Sequence, residues 1–218
     1  LNHDIQPADI AARAEALKLQ QANLRADPDT LRLLLTKARS HHAWQDKPVD
    51  EALLREVYEI AKMGPTSMNQ QSMRVVFVRS DEARERLKPC LKDTNVAKMM
   101  GAPVTCIIAY DMAFYEKLPK VFSHNPGAKK IFEADEAATR ANGFRNSTLQ
   151  GAYFMIAARA VGLDVGAMSG FDNAKVDEAF FANSTLRSNF ILNIGYADTD
   201  KLMHRLPRLD FDEVCQFI

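Results

Sequence analysis

The stretch GPTSMNQQSMRVVFV, Gly64 to Val78, ends one regular element and opens another. Gly64-Pro65 stops a helix, and RVVFVRS reads as a strand buried on both faces. Between them Thr66, Ser67, Asn69, Gln70, Gln71 and Ser72 follow almost without a break. A plain helix-to-strand connection needs only about two to six residues. The loop is therefore either an unusually polar surface connector or the wall of a site for a polar ligand.

Working back from Gly64, EALLREVYEIAKM carries Leu53, Leu54, Val57, Ile60 and Ala61 on one stripe, with Asp50 placed to cap it. Leu31 to Ala38 reads as a shorter helix. Residues 1–30 read as a peripheral helical arm, leaving 31–218 as the main domain. Working forward, DEARERLKPCL is a short helix and NVAKMMG a further helical turn. APVTCIIAYD is a second strand buried on both faces. The segment 112–145, broken by Pro119, Pro126 and Gly127, reads as a mobile helical excursion.

From Asn146, STLQGAYFMIAARAVGLD is the strongest helix and apolar almost all round, so it belongs at the centre. DVGAMSGF and SNFILNIGYAD are two more strands, separated by the helix FDNAKVDEAFF. The expected architecture is α+β, with a mostly antiparallel sheet of about four or five strands. The surplus apolar surface of 148–162 is most simply buried at a subunit interface.

Composition narrows the function. Lys plus Arg and Asp plus Glu number 28 each, so no global field recruits nucleic acid or an anionic membrane. Any anion site must be local. Three dispersed cysteines without CxxC fit a reducing, cytoplasmic setting. No stretch approaches a membrane span of about 20 apolar residues, and no His spacing suggests a metal site. Motifs for serine hydrolases, zinc proteases, P-loops and dinucleotide folds are absent. Polar loops at element ends with isolated cations suit a protein whose chemistry is carried by a bound group.

Four short patterns fit that idea, and each also has an ordinary reading. Arg39-Ser40-His41 can grip a phosphate or simply end a solvated helix. Asn95 and Lys98 share one face of a helical turn, as many exposed turns do. Ser169-Gly170 permits close backbone approach to a flat ligand, or only turns the chain. Arg205 and Arg208 bracket Pro207 in a bend that suits an anion or a surface loop.

In this order the pieces resemble the nitroreductase family of FMN-dependent oxidoreductases, from ARSH through GPTSMNQQSMRVVFV, NxxK, the long apolar helix and MSGFD to RLPR. The resemblance spans 31–218. Within it, FRNSTLQGAYFMIAARAVGLDVGAMSGFDNAKVDEAFF is most similar to reductases of malonic semialdehyde (3-oxopropanoate).

The resemblance implies a dimeric nitroreductase-like fold and ping-pong transfer of hydride from NADH or NADPH through flavin N5 to a small acceptor. It assigns the FMN phosphate and ribityl end to Arg39, Ser40, His41 and Arg205, with Arg208 a further member. It assigns the flavin's pyrimidine edge to Asn95 and Lys98, and the surroundings of N5 to Ser169 and Gly170. Pro65, Thr66, Ser67 and Asn69 would come from the second subunit of a homodimer.

Two departures stand out. Ala43 and Trp44 replace a basic residue common after the first motif, and Gln71-Ser72-Met73 replaces a QPW ending. Both argue against nitroaromatic reduction more than against flavin binding. A broad nitroarene or quinone reductase, and a flavin-binding protein with little turnover, remain as alternatives. The proton donor stays open among Ser169, Tyr115, His124 and water. The partner for a substrate carboxylate stays open among Arg74, Arg145, Lys129 and Lys130.

Overall fold

The apolar runs become four antiparallel strands: β1 (Met73–Val78), β2 (Val104–Asp111), β3 (Asp164–Met168) and β4 (Leu186–Gly195). Their order is β1-β2-β4-β3, so the two most apolar strands lie at the centre. The computed structural model describes residues 6–22 and 24–218. It divides into two units, Leu1–Lys37 and Ala38–Ile218, whereas the sequence reading put the boundary after residue 30.

In the first unit α1 (Pro7–Gln21) buries none of its side chains. Residues 1–5 and 23 of the expected arm, His3 included, lie outside the described residues. A short α2 (Pro28–Leu31) is capped by the Asp27 carboxylate, which accepts from the Asp29 and Thr30 N–H groups. The expected helix from Leu31 continues as a π-turn, Arg32–Thr36, with Leu31 and Leu35 exposed.

In the second unit, side chains alternate across the sheet as the period of two requires. Val104, Cys106, Ile108, Leu192 and Ile194 meet α3 (Glu51–Ala61) and α8 (Glu136–Ala160) on one face. Ile107, Ala109, Ile191 and Met168 join the opposite core, with residues of α4 (Asp81–Leu87), α5 (Asp93–Met100) and α9 (Asn173–Phe181). Fully burying Leu54 and Val57 of α3 stabilises the fold by about 1.5–3 kcal/mol each.

Three expectations need correction. β1 is an edge strand with Phe77 37% exposed, so it is not buried on both faces. The central helix starts at Glu136, capped by Asp135, and runs 25 residues. It takes in the end of the expected excursion, and its buried positions over 136–150 are small or polar: Thr139, Gly143, Asn146, Ser147 and Gln150.

The rest of 112–145 forms α6 (Leu118–Val121) and α7 (Ala128–Glu133) around a core of its own. There the Phe114 and Phe132 rings meet at 4.9 Å. Those two aromatics are committed to packing, while Tyr115 and Phe122 lie partly buried against them. A final short helix, α10 (Phe211–Val214), lies in an exposed tail.

Candidate functional site

β3 is the other edge strand of the sheet, and the site is organised along it. Ser40 forms a parallel bridge to Val165, and the His41 N–H donates to the Val165 oxygen at 3.0 Å. The ARSH segment therefore lies on the free edge of β3. This close approach needs Gly166, because a Cβ there would stand 2.2 Å from the His41 carbonyl oxygen. Next to it, His41 is buried, and its Nε2 lies 3.3 Å from Asp164 Oδ1. Asp164 also accepts the Ala197 N–H at 2.9 Å. The hydrogen bond from His41 holds the Asp164 carboxyl below its ordinary range, against the opposing effect of burial.

Three guanidinium groups gather on the same segment. Arg39 donates to the Met203 oxygen at 2.6 Å, and Arg205 donates back to the Ala38 oxygen at 2.7 Å. The C-terminal tail and the ARSH segment thus exchange guanidinium-to-carbonyl bonds. Arg159, in the last turn of α8, reaches the Arg39 oxygen at 3.4 Å. The sequence reading missed Arg159 and Asp164. The available signal was a lone arginine ending an apolar helix just ahead of an aspartate.

Beyond the end of β3 the chain turns at Ser169-Gly170. The Gly170 oxygen accepts from the Lys92 N–H and from Asn95 Nδ2, both at 3.0 Å. A Cβ on Gly170 would stand 2.5 Å from Asn95 Nδ2, so glycine is required for this contact. Lys98 Nζ donates to Asn95 Oδ1 at 3.0 Å. Burial first, then the Lys98 charge and His41, push the His42 imidazole below its ordinary value. Ser40, His42 and Ser169 are exposed along this edge.

Two further predicted groups lie away from this edge. Arg208 donates to the Leu206 and Pro207 oxygens of its own turn, not to the cluster around Arg39. The 64–72 loop is anchored on α8 and α6. Ser67 N–H donates to Asn146 Oδ1 at 2.8 Å, Asn69 Nδ2 to the Val121 oxygen at 2.8 Å, and Tyr153 Oη to the Pro65 oxygen at 3.1 Å. Met68, Asn69 and Gln71 hold φ of 51°, 48° and 44°, conformations that cost about 1–3 kcal/mol each in non-glycine residues. Gln70 is buried with neither amide atom partnered among the described residues.

Of the cations weighed for a substrate carboxylate, Arg74 pairs with Asp111 at 2.7 Å, and Lys129 with Glu116 and Glu133. Arg145 and Lys130 are exposed. Among the described residues no cluster of His, Cys, Asp and Glu is arranged to hold a metal ion, and no helix is long and apolar enough to cross a membrane.

The family model described as the nitroreductase family matches residues 35–196. A Burkholderia lata protein provisionally named an NADH dehydrogenase/NAD(P)H nitroreductase is 54% identical over 183 residues, 84% of this chain and 93% of its own. A Cupriavidus pinatubonensis protein of the same provisional name is 52% identical over 181 residues, 82% of this chain and 92% of its own. Among solved structures, one described as a nitroreductase in complex with FMN, from Exiguobacterium sibiricum, aligns with a TM-score of 0.79. It is 19% identical and covers 89% of this chain and 99% of its own, so it speaks to the fold.

Proposed function

The chain belongs to the nitroreductase family, and from that premise we propose that it is an FMN-dependent NAD(P)H oxidoreductase acting on a small carbonyl acceptor. The observation that carries this reading is the convergence along one sheet edge of Arg39, Arg205 and His41 with Asn95, Lys98 and Gly170. The donor set fits the cofactor. Guanidinium groups suit a phosphate, and an ammonium held by an amide suits the electron-rich edge of a flavin. When bound, FMN would accept hydride at N5 and pass it to the second substrate.

The chain's own residues position and polarise. Arg39, Arg205, Ser40 and His41 hold the phosphate end. Lys98, oriented by Asn95, supplies positive charge where negative charge develops on reduction. Gly170 keeps the backbone beside Ser169 free of a side chain that would displace Asn95. The 64–72 loop, with Pro65, Thr66, Ser67 and Asn69, completes the site from a second copy of the chain. Its strained backbone and its anchorage on α8 support that role. The proposed protein is thus a homodimer that binds neither nucleic acid nor membrane, in keeping with a cytoplasmic setting.

For the acceptor we propose malonic semialdehyde, reduced to 3-hydroxypropanoate. The carbonyl carbon takes the hydride and its oxygen takes a proton. Support comes from the 144–181 stretch and from Trp44, whose ring packs where Cβ atoms on Gly166 and Gly195 would touch it, in place of a basic side chain. The names of the relatives favour a second reading, a broad nitroarene or quinone reductase. Protein reduced anaerobically with NADH and then mixed with each acceptor separates the two. Return of the flavin absorbance with the aldehyde supports the first; return only with a nitroarene or quinone supports the second.

A further inference from the structure

We infer that Asp164 is a positioning residue for the phosphate end of this site, acting through His41 to set Arg39 and Ser40 against a phosphate monoester. The inference rests on the flavin reading above and extends it to a residue outside the recognised motifs.

Three observations carry it. The first is connectivity. Asp164 opens β3, and its two carboxylate oxygens serve two different segments: Oδ1 lies 3.3 Å from His41 Nε2, and Oδ2 accepts the Ala197 N–H at 2.9 Å. From His41 the chain leads back to Ser40 and Arg39; from Ala197 it runs on through the turn Thr199–Lys201 to Arg205. One carboxylate therefore ties both arms of the basic cluster to the same strand. The arms meet again where Arg39 and Arg205 donate to the Met203 and Ala38 oxygens. The second is burial. The His41 imidazole is buried while Ser40 beside it is exposed, so a ring held by Asp164 sets the orientation of the exposed neighbour. The third is sign. A carboxylate beside a phosphate site repels the ligand, so by charge alone Asp164 opposes binding, and its use lies in the two segments it holds. The competing explanation is that Asp164 only balances the charge of His41 and Arg159, both of which act on it.

The test compares FMN with riboflavin, which lacks the phosphate, by fluorescence titration of the chain freed of flavin. Asp164→Asn should weaken FMN binding about 3- to 10-fold and leave riboflavin affinity unchanged. Tighter FMN binding, as removal of a repelling charge alone predicts, would overturn the inference. So would equal effects on both flavins, or no effect on either, and each of these outcomes leaves the flavin reading intact. Wild-type protein that takes up no FMN would overturn both. Asp164→Glu keeps the charge, moves the oxygens by one methylene, and serves if the asparagine variant does not fold. It should lose FMN affinity selectively, and a wild-type ratio of FMN to riboflavin affinity in that variant also overturns the inference. Because Asp164 acts through His41, Asp164→Asn should add little to the selective loss caused by His41→Gln. Fully additive losses in the double variant would overturn the inference as well.

Discussion

Asn193 donates its side-chain amide to the backbone oxygen of Lys98 at 3.0 Å, from the middle of the sheet to the last turn of α5. Its Oδ1 accepts from Thr105 Oγ1 at 2.7 Å, directly across the β2–β4 ladder. Both side chains are almost completely buried. A polar pair in an apolar core is stable only when its hydrogen bonds are made. Here the pair satisfies a helix-end carbonyl that would otherwise lack a partner. The same contact ties the backbone of Lys98 to the central strand β4.

Lys98→Met should slow reduction of the bound flavin by NADH and lower its midpoint potential, because the ammonium favours the reduced, more negative form. The fold should be unaffected, since the substitution leaves the backbone contact to Asn193 in place. A wild-type potential in this variant would remove Lys98 from its electrostatic role.

Arg205→Ala should weaken FMN retention by about 1.5–3 kcal/mol, the range for hydrogen bonds to a charged group. Arg208→Ala should stay within about 0.5 kcal/mol of wild type, because its guanidinium is turned onto its own bend. Equilibrium titration of both variants decides the matter; equal losses would mean that the tail binds as a diffuse positive patch.

Asp164 titrates below its ordinary value of 3.8 in the folded chain, chiefly through His41. A depressed folded-state value means that the interaction contributes fully above the unfolded value and is lost as pH falls through the folded one. Thermal midpoints taken from neutral pH into the acid range should therefore fall less steeply for Asp164→Asn than for wild type. Parallel curves would show that the His41 contact adds nothing to stability.

Gly166→Ala sets a Cβ against a backbone oxygen that cannot move aside. It should cost about 1–3 kcal/mol or more and lower FMN affinity by prising the ARSH segment off β3. Gly101→Ala meets only an ordinary contact of 3.4 Å at φ −82° and should be neutral or stabilising by about 0.4–1 kcal/mol. Urea midpoints of the two variants test the contrast.

The four strands could be read from the sequence because each is a short, dense apolar run. The ARSH, NxxK and SGF segments could be read because their polar residues are local. What escaped the sequence shows why local pattern has limits. The sequence points to Asn146 as the start of α8 because the helix turns polar residues inward over 136–150, where Asn146 and Gln150 accept the Ser67 and Met73 N–H groups. That hides the helical period of its apolar face. Arg159, Asp164 and the Thr105–Asn193 pair escaped for another reason. Their partners lie far away along the chain, and only the fold brings them together. Arg208 shows a further limit: beside a proline, a cation that faces a ligand and one that bonds to its own turn, as Arg208 does here, have the same sequence.

The most direct test of the whole account is an absorbance titration of the purified chain with FMN, followed by anaerobic NADH or NADPH. The account predicts stoichiometric uptake, with flavin bands that bleach when the reduced nicotinamide is added. A chain that takes up no FMN, or holds FMN that neither nicotinamide can bleach, would contradict it.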